Sequence, residues 1–196
     1  WQFLDASGQA IESWIGMGDL ARIVPPRRRR LFPRLTVAVD VGNPLLGARG
    51  CSRIYGPQKG LQSDDMILAE RALRRLAGVT ARQLRRSTAT IPGAGAAGGL
   101  GFGLMTFFGA KATPGFSLFA RQVKLIQRLR QADLVITGEG ALDSSSLMGK
   151  GVGELARLSK TLHIQCLALA GKVLHAAKSR RRFAGTASLV DLAGGE

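Results

Sequence analysis

The chain has 196 residues, 45% hydrophobic and 21% charged, a balance that excludes a disordered protein and allows a sizeable core. Its net charge of +15 comes from 28 Lys and Arg against 13 acids. Such a charge could attract nucleic acid or acidic membranes, but the basic residues fall in separate blocks (27 to 34, 71 to 86, 121 to 130, 178 to 182) without interleaved aromatics, so a basic nucleic-acid-binding protein, like a non-catalytic remnant, stands only as an alternative reading. Cys51, Cys166, His163 and His175 are too scattered for a disulfide framework or a zinc cluster, and point to a reducing, cytoplasmic setting.

In residues 1 to 24 a turn at Ala6-Ser7-Gly8 between two short apolar pieces predicts a small hairpin. The Arg27 to Arg30 run after Pro25-Pro26 reads as a solvated connection. Leu35 to Val41 (LTVAVDV) is an apolar, β-branched run and predicts a buried strand. A carboxylate inside or at the tip of such a strand, Asp40, is costly unless it is paired, binds metal or does chemistry. Alternatively, it accepts bonds from the amides of the loop that follows. That loop, residues 42 to 60, has five glycines and two prolines in 19 positions, and loops at strand ends carry function disproportionately.

Asp64 to Ala77 predicts an amphipathic helix with Ile67, Leu68, Leu73 and Leu76 near one face and acids leading. A second helical piece ends near Arg86. Ile91 to Ala110 holds 20 uncharged residues, the length of a bilayer span, but seven are glycine and the strongly apolar ones gather only at 100 to 108. The segment predicts a glycine-rich loop entering a buried helix, not a membrane anchor. Its GxGxxG at Gly93, Gly95 and Gly98 lacks the apolar strand before it and the acid after it that a dinucleotide site needs. The glycines either present backbone N–H groups to an anion or permit close helix packing.

Arg121 to Arg130 predicts a basic helix, and Leu134 to Ile136 a buried strand broken by Gly138 and Gly140. Behind it stand Glu139, Asp143, three serines, Gly149 and Lys150. Small, acidic and hydroxyl residues at the carboxyl edge of a strand suit a metal and a phosphate. A polar loop with helix-capping serines explains them equally well. After Lys150 the pattern gives a helix and then another buried strand, HIQCLALAG, so the fold class is α/β with parallel βαβ units. Residues 172 to 196 read as an unassigned basic tail.

Four stretches together resemble the bacterial glycerate kinase family: VAVDVGNPLLGARG (37 to 50), YGPQKG (55 to 60), PGAGAAGGLG (92 to 101) and DLVITGEGALDSSSLMGK (133 to 150). Their order and spacing agree as well as their letters, and the resemblance runs over residues 1 to 171. It implies parts of two α/β domains with a cleft between them, in a partial chain lacking the family's amino-terminal portion. It also implies transfer of the ATP γ-phosphoryl group to a hydroxyl of glycerate, with Mg²⁺. On that resemblance Asp40, Lys59 and Lys150 are the catalytic candidates, and Glu139 and Asp143 the metal ligands. Asn43, Gly47, Gly50, Gln58, Gly93, Gly95, Gly98, Thr137 and Ser146 are the substrate or phosphate contacts. The chain departs from the family pattern at Gly42, Ala141 and Met148, where the family carries an acid, an arginine and a histidine.

Overall fold

The computed structural model describes residues 1–27, 32–143, 146, 151–174 and 181–194. The fold is mixed α/β, and the chain divides into two compact units, Trp1–Pro114 and Gly115–Glu196.

The first unit begins with β1 (Gln2–Leu4), antiparallel to β2 (Arg22–Val24) with Phe3 opposite Ile23. The turn expected after β1 is present: Asp5 Oδ1 accepts bonds from the Ser7 and Gln9 N–H groups and the Ser7 hydroxyl, and Leu4 bridges Ala10. The Ser7 hydroxyl, followed by the Gln9 amide, holds the Asp5 carboxyl below its usual range. A parallel pair follows, β3 (Thr36–Val39) and β4 (Lys111–Pro114), with α1 (Cys51–Tyr55), α2 (Ser63–Leu84) and α3 (Leu100–Phe108) between them in sequence.

The two helical pieces expected from 64 to 86 are one helix, α2. Its start is fixed by a capping box between Gln62 and Asp65, and its end by Arg85 in the left-handed region at φ +51°. Of the apolar residues expected on one face Ile67 and Leu68 are exposed, while Leu73 and Leu76 are half-buried and join the buried Ala72, Val79 and Thr80 in a stripe with the three-and-four spacing of one helix face. Two basic residues of this region act as clamps: the Arg75 and Arg86 guanidinium groups donate to the carbonyls of Leu20 and Thr106. The core of the unit joins Leu20, Ile23, Leu45, Val79, Phe102 and Phe107, with Trp1 and Phe3 tilted or edge-on against Phe107.

The strand expected at 35 to 41 is shorter and more exposed than its apolar run suggests. Only Val39 is buried, because among the described residues β3 pairs with β4 alone, and Asp40 follows it in the open. The expected glycine-rich entry into a buried helix is present as a 3-10 turn (Ala96–Gly99) running into α3.

The second unit opens with α4 (Gly115–Gln122) and α5 (Leu125–Leu129), so the expected basic helix is broken at Lys124, which has φ +51°. Next come β5 (Leu134–Leu142), α6 (Gly151–Thr161) and β6 (Gln165–Val173), the strand, helix and parallel strand expected. Gly138 and Gly140 do not break β5 as expected. A Cβ at Gly138 would meet the Leu169 carbonyl, and one at Gly171 the Gly140 carbonyl, each closer than 3.0 Å, so these glycines let β5 and β6 approach. The weakly patterned stretch after Lys172 supplies β7 (Gly185–Ser188), parallel to β6, and α7 (Leu189–Leu192). One face of the sheet packs Val135, Cys166, Ala168 and Ala170 against Leu129 and Ala156. On the opposite face Leu134, Ile136 and Leu169 are exposed, Ile136 by 68%. Among the described residues no helix is long and apolar enough to cross a membrane.

Candidate functional site

In the first unit the structure brings together three stretches that lie far apart in sequence. Val39, the last residue of β3, lies against Gly93, where φ is +89° and a Cβ would meet the valine side chain at 3.0 Å. Asp40 therefore emerges beside the glycine-rich turn. Its cost as a buried carboxylate, the ground on which the sequence singled it out, does not arise, since it is exposed.

The loop after Asp40 is held by hydrogen bonds rather than left slack. The Asn43 side chain spans it, donating to the Arg49 carbonyl (2.9 Å) and accepting from the Tyr55 hydroxyl (2.7 Å). The Asn43 carbonyl accepts from Gly95 N–H at 2.9 Å, which ties the loop to the glycine-rich turn. Both ends of the Asn43 amide thus have protein partners, so it orders the loop. Leu45 donates its N–H to Ala89 and anchors the loop from below, fully buried. Gly47, at φ +89°, donates its N–H to Glu70 Oε1 of α2 (2.9 Å) and accepts from Gly50 N–H (2.9 Å). Gly50 precedes α1 directly, and a Cβ there would meet the backbone of Leu46 and Gly47 closer than 3.0 Å. Burial pushes the Cys51 thiol and the Tyr55 phenol up, so both stay neutral at pH 7, and the tyrosine hydroxyl remains a donor to Asn43.

Gly95 approaches the Asn43 and Pro44 carbonyls too closely for any side chain, which answers the question its GxGxxG left open in favour of close packing at this position. Gly98, at φ +70° with open space around it, keeps its backbone accessible. Gln58 and Lys59 are exposed on a 3-10 turn, Pro57–Lys59. Lys59 and Gly98 also stand on the wall of a mostly apolar cavity of about 550 Å³, formed with Trp14, Met17, Tyr55 and Leu73.

In the second unit Thr137 and Glu139 lie within β5, half-buried, and Glu139 Oε1 is buried without a hydrogen-bond partner among the described residues. Asp143 Oδ1 accepts from the Ser146 N–H (3.0 Å) and hydroxyl (3.3 Å), and the Ser146 oxygen accepts from Asp143 N–H (3.2 Å). Ser146 is 1% exposed, so it orders the turn after β5 and offers no open hydroxyl. Lys150 lies outside the described residues, as do Ser144, Ser145 and Gly149. Among the described residues no group of three or more His, Cys, Asp or Glu gathers to hold a metal. Mg²⁺, however, needs only one or two carboxylates when phosphate and water complete its shell, and Glu139 Oε1, buried without a hydrogen-bond partner among the described residues, is a carboxylate oxygen of the kind it takes. Sequence reasoning passed over two residues that build this region, Tyr55 and Glu70. Tyr55 heads the YGPQKG stretch, but no spacing rule joins Glu70 to Gly47, 23 positions earlier.

The model of the glycerate kinase family matches residues 1–195, past the point near Gly171 where the resemblance is legible by eye. A glycerate kinase of Halalkalibacterium halodurans is 37% identical over 88% of this chain and 46% of its own length. A glycerate 2-kinase of Escherichia coli K12 is 37% identical over 86% of this chain and 45% of its own. The crystal structure of a glycerate kinase 2 from Salmonella typhimurium LT2 superposes with a TM-score of 0.75 at 33% identity, covering 97% of this chain and 52% of that one. The chain spans about half the length of the curated relatives it matches.

Proposed function

This chain belongs to the glycerate kinase family, and we propose that it transfers the ATP γ-phosphoryl group to a hydroxyl of glycerate, in the cytoplasm, with Mg²⁺. The observation that carries the reading is the first unit's assembly around Asp40: an exposed carboxylate at the end of β3, flanked by a hydrogen-bonded loop and a glycine-rich turn. Phosphoryl transfer asks a protein for positioning and fixed charge more than for covalent chemistry.

Asp40 is the proposed base, accepting the proton of the glycerate hydroxyl as it attacks the γ-phosphorus. Exposure keeps it accessible to substrate, and the bonded loop fixes the backbone that follows it. Lys59 is proposed to offset phosphate or carboxylate charge, a role its exposed ammonium suits, and Lys150 is assigned the same role from the resemblance alone. The Gly98 backbone is open to an anion. Gly47, Gly50, Gly93 and Gly95 shape the loop and turn, Asn43 and Ser146 order the backbone around the proposed contacts, and Thr137 is assigned as a contact from the resemblance alone. Glu139 and Asp143 would hold Mg²⁺, which, when bound, neutralises charge on the transferring phosphoryl oxygens.

The test is glycerate-dependent ADP formation from MgATP by this chain, alongside Asp40→Ala. A general base contributes roughly 10²–10⁴-fold, so turnover in the variant should fall by at least about 10²-fold. Because Asp40 is exposed, its unfolding curve should stay unchanged. A variant that keeps the parent's rate removes Asp40 from the reaction, and a parent chain without turnover means these residues do not suffice for catalysis.

A further inference from the structure

We propose that Glu70, in the body of α2, is a positioning residue that sets the loop between Asp40 and α1. The inference rests on the kinase reading for its consequence in turnover, though not for its geometry. Glu70 Oε1 accepts the Gly47 N–H at 2.9 Å, across a sequence gap of 23 residues. Gly47 is the left-handed residue of the loop, and its carbonyl receives the Gly50 N–H that leads into α1. One carboxylate thus fixes the middle of the loop, while Asn43 fixes its flanks through Arg49, Tyr55 and Gly95.

Two features of Glu70 set it apart from an ordinary helix acid. Its side chain is only 12% exposed, and its one charged partner among the described residues is Arg74, at 3.3 Å on the adjacent helix turn, which is itself 68% exposed. Its second oxygen, Oε2, is buried with no hydrogen-bond partner among the described residues. A buried acceptor left unmade is a cost that an apolar residue of similar size would avoid. Gly47 is exposed, so water could satisfy its N–H if the carboxylate were absent. The bond is therefore not required to avoid an orphan amide, and what it adds is a fixed loop conformation next to Asp40. Glu70 itself touches no reacting atom in this scheme.

The experiment compares Glu70→Leu and Glu70→Gln with the parent chain of 196 residues. Leucine keeps the packing volume and removes the acceptor, whereas glutamine keeps an acceptor for Gly47. Amide exchange at Gly47, followed by NMR, should speed up about tenfold or more in Glu70→Leu, the loss of a charge-assisted bond, and return close to the parent rate in Glu70→Gln. In an active chain, kcat/KM for glycerate should fall about tenfold in Glu70→Leu and recover in Glu70→Gln, while both variants unfold cooperatively. Unchanged Gly47 exchange in Glu70→Leu overturns the proposal, as does faster exchange with an unaltered kcat/KM. If the parent has no turnover, the kinase reading has failed, and the exchange rates alone still decide whether Glu70 sets the loop.

Discussion

The contact between Gly95 and the loop at 43 to 44 can be tested by a single methyl group. Gly95 has φ −78°, open to any residue, so Gly95→Ala carries no backbone strain and isolates the close approach itself. The added Cβ would meet the Pro44 carbonyl oxygen closer than 3.0 Å, with the Asn43 carbonyl and Cys51 Cβ at 3.2 Å. The first two are backbone atoms, which cannot swing aside as a side-chain tip can. Overpacking of this kind costs about 1–3 kcal/mol. Pushing the segments apart also stretches the 2.9 Å bond from Gly95 N–H to Asn43, adding about 1 kcal/mol. Against these, alanine narrows the unfolded ensemble and returns about 0.4–1 kcal/mol. The net is about 2 kcal/mol of destabilisation, a fall in Tm on the order of 10 °C for a unit of this size. The control is Gly103→Ala, inside α3, where a Cβ meets nothing within 4 Å and helix propensity should stabilise by about 0.5–1 kcal/mol. Urea unfolding followed by circular dichroism measures both. A Gly95→Ala protein as stable as the parent, or a Gly103→Ala protein less stable than Gly95→Ala, would refute the reasoning.

Ser146→Ala removes a buried hydroxyl that bonds both the Asp143 carboxylate and the Asp143 N–H, so it should cost about 1–2 kcal/mol in urea unfolding; a change below about 0.3 kcal/mol counts against the turn's dependence on it. Burial raises the Cys51 and Cys166 thiols above their usual 9.0, so above that pH the unfolded chain loses thiol protons that the folded chain keeps. Stability should therefore fall as pH rises beyond about 9, and the Cys51→Ala/Cys166→Ala double variant should show a flatter decline. An identical decline in both proteins would assign the loss to other groups. Asp5 works in the opposite sense. Its lowered carboxyl favours the folded turn above the usual 3.8, and that preference is lost as pH falls further, so Asp5→Asn should blunt the acid limb of the stability profile.

The elements whose pattern comes from local periodicity were legible in the sequence. The βαβ order of β5, α6 and β6 follows from two apolar runs bracketing an amphipathic stretch, and α3 from the apolar residues after the glycines. What misled was composition read without partners. LTVAVDV has the letters of a central strand, yet among the described residues β3 has a single neighbour and only Val39 is buried. Gly138 looks like a strand breaker until β6 is laid beside it, because close approach between strands is a pairwise property. The site divides in the same way. Asp40 was found as a letter, but for a reason of burial that the structure removes, while Glu70 was hidden because its partner lies 23 positions away.

The two parallel pairings differ in how much chain must be made before they can form. Thr36 meets Lys111, about 75 positions on, whereas Leu134 meets Gln165 after about 31. Closing the longer loop costs about 0.8 kcal/mol more in chain entropy, and rates fall as contacts become more distant in sequence. On a ribosome the order is stricter than entropy alone would make it. Helix α2 can coil and the β1 turn can close while β3 still waits for its neighbour, so Val39 stays exposed until Pro114 has emerged. The segment that carries Asp40 is among the last parts of the first unit to be fixed, and conditions that slow synthesis across residues 40 to 110 prolong its exposure as an unpaired edge.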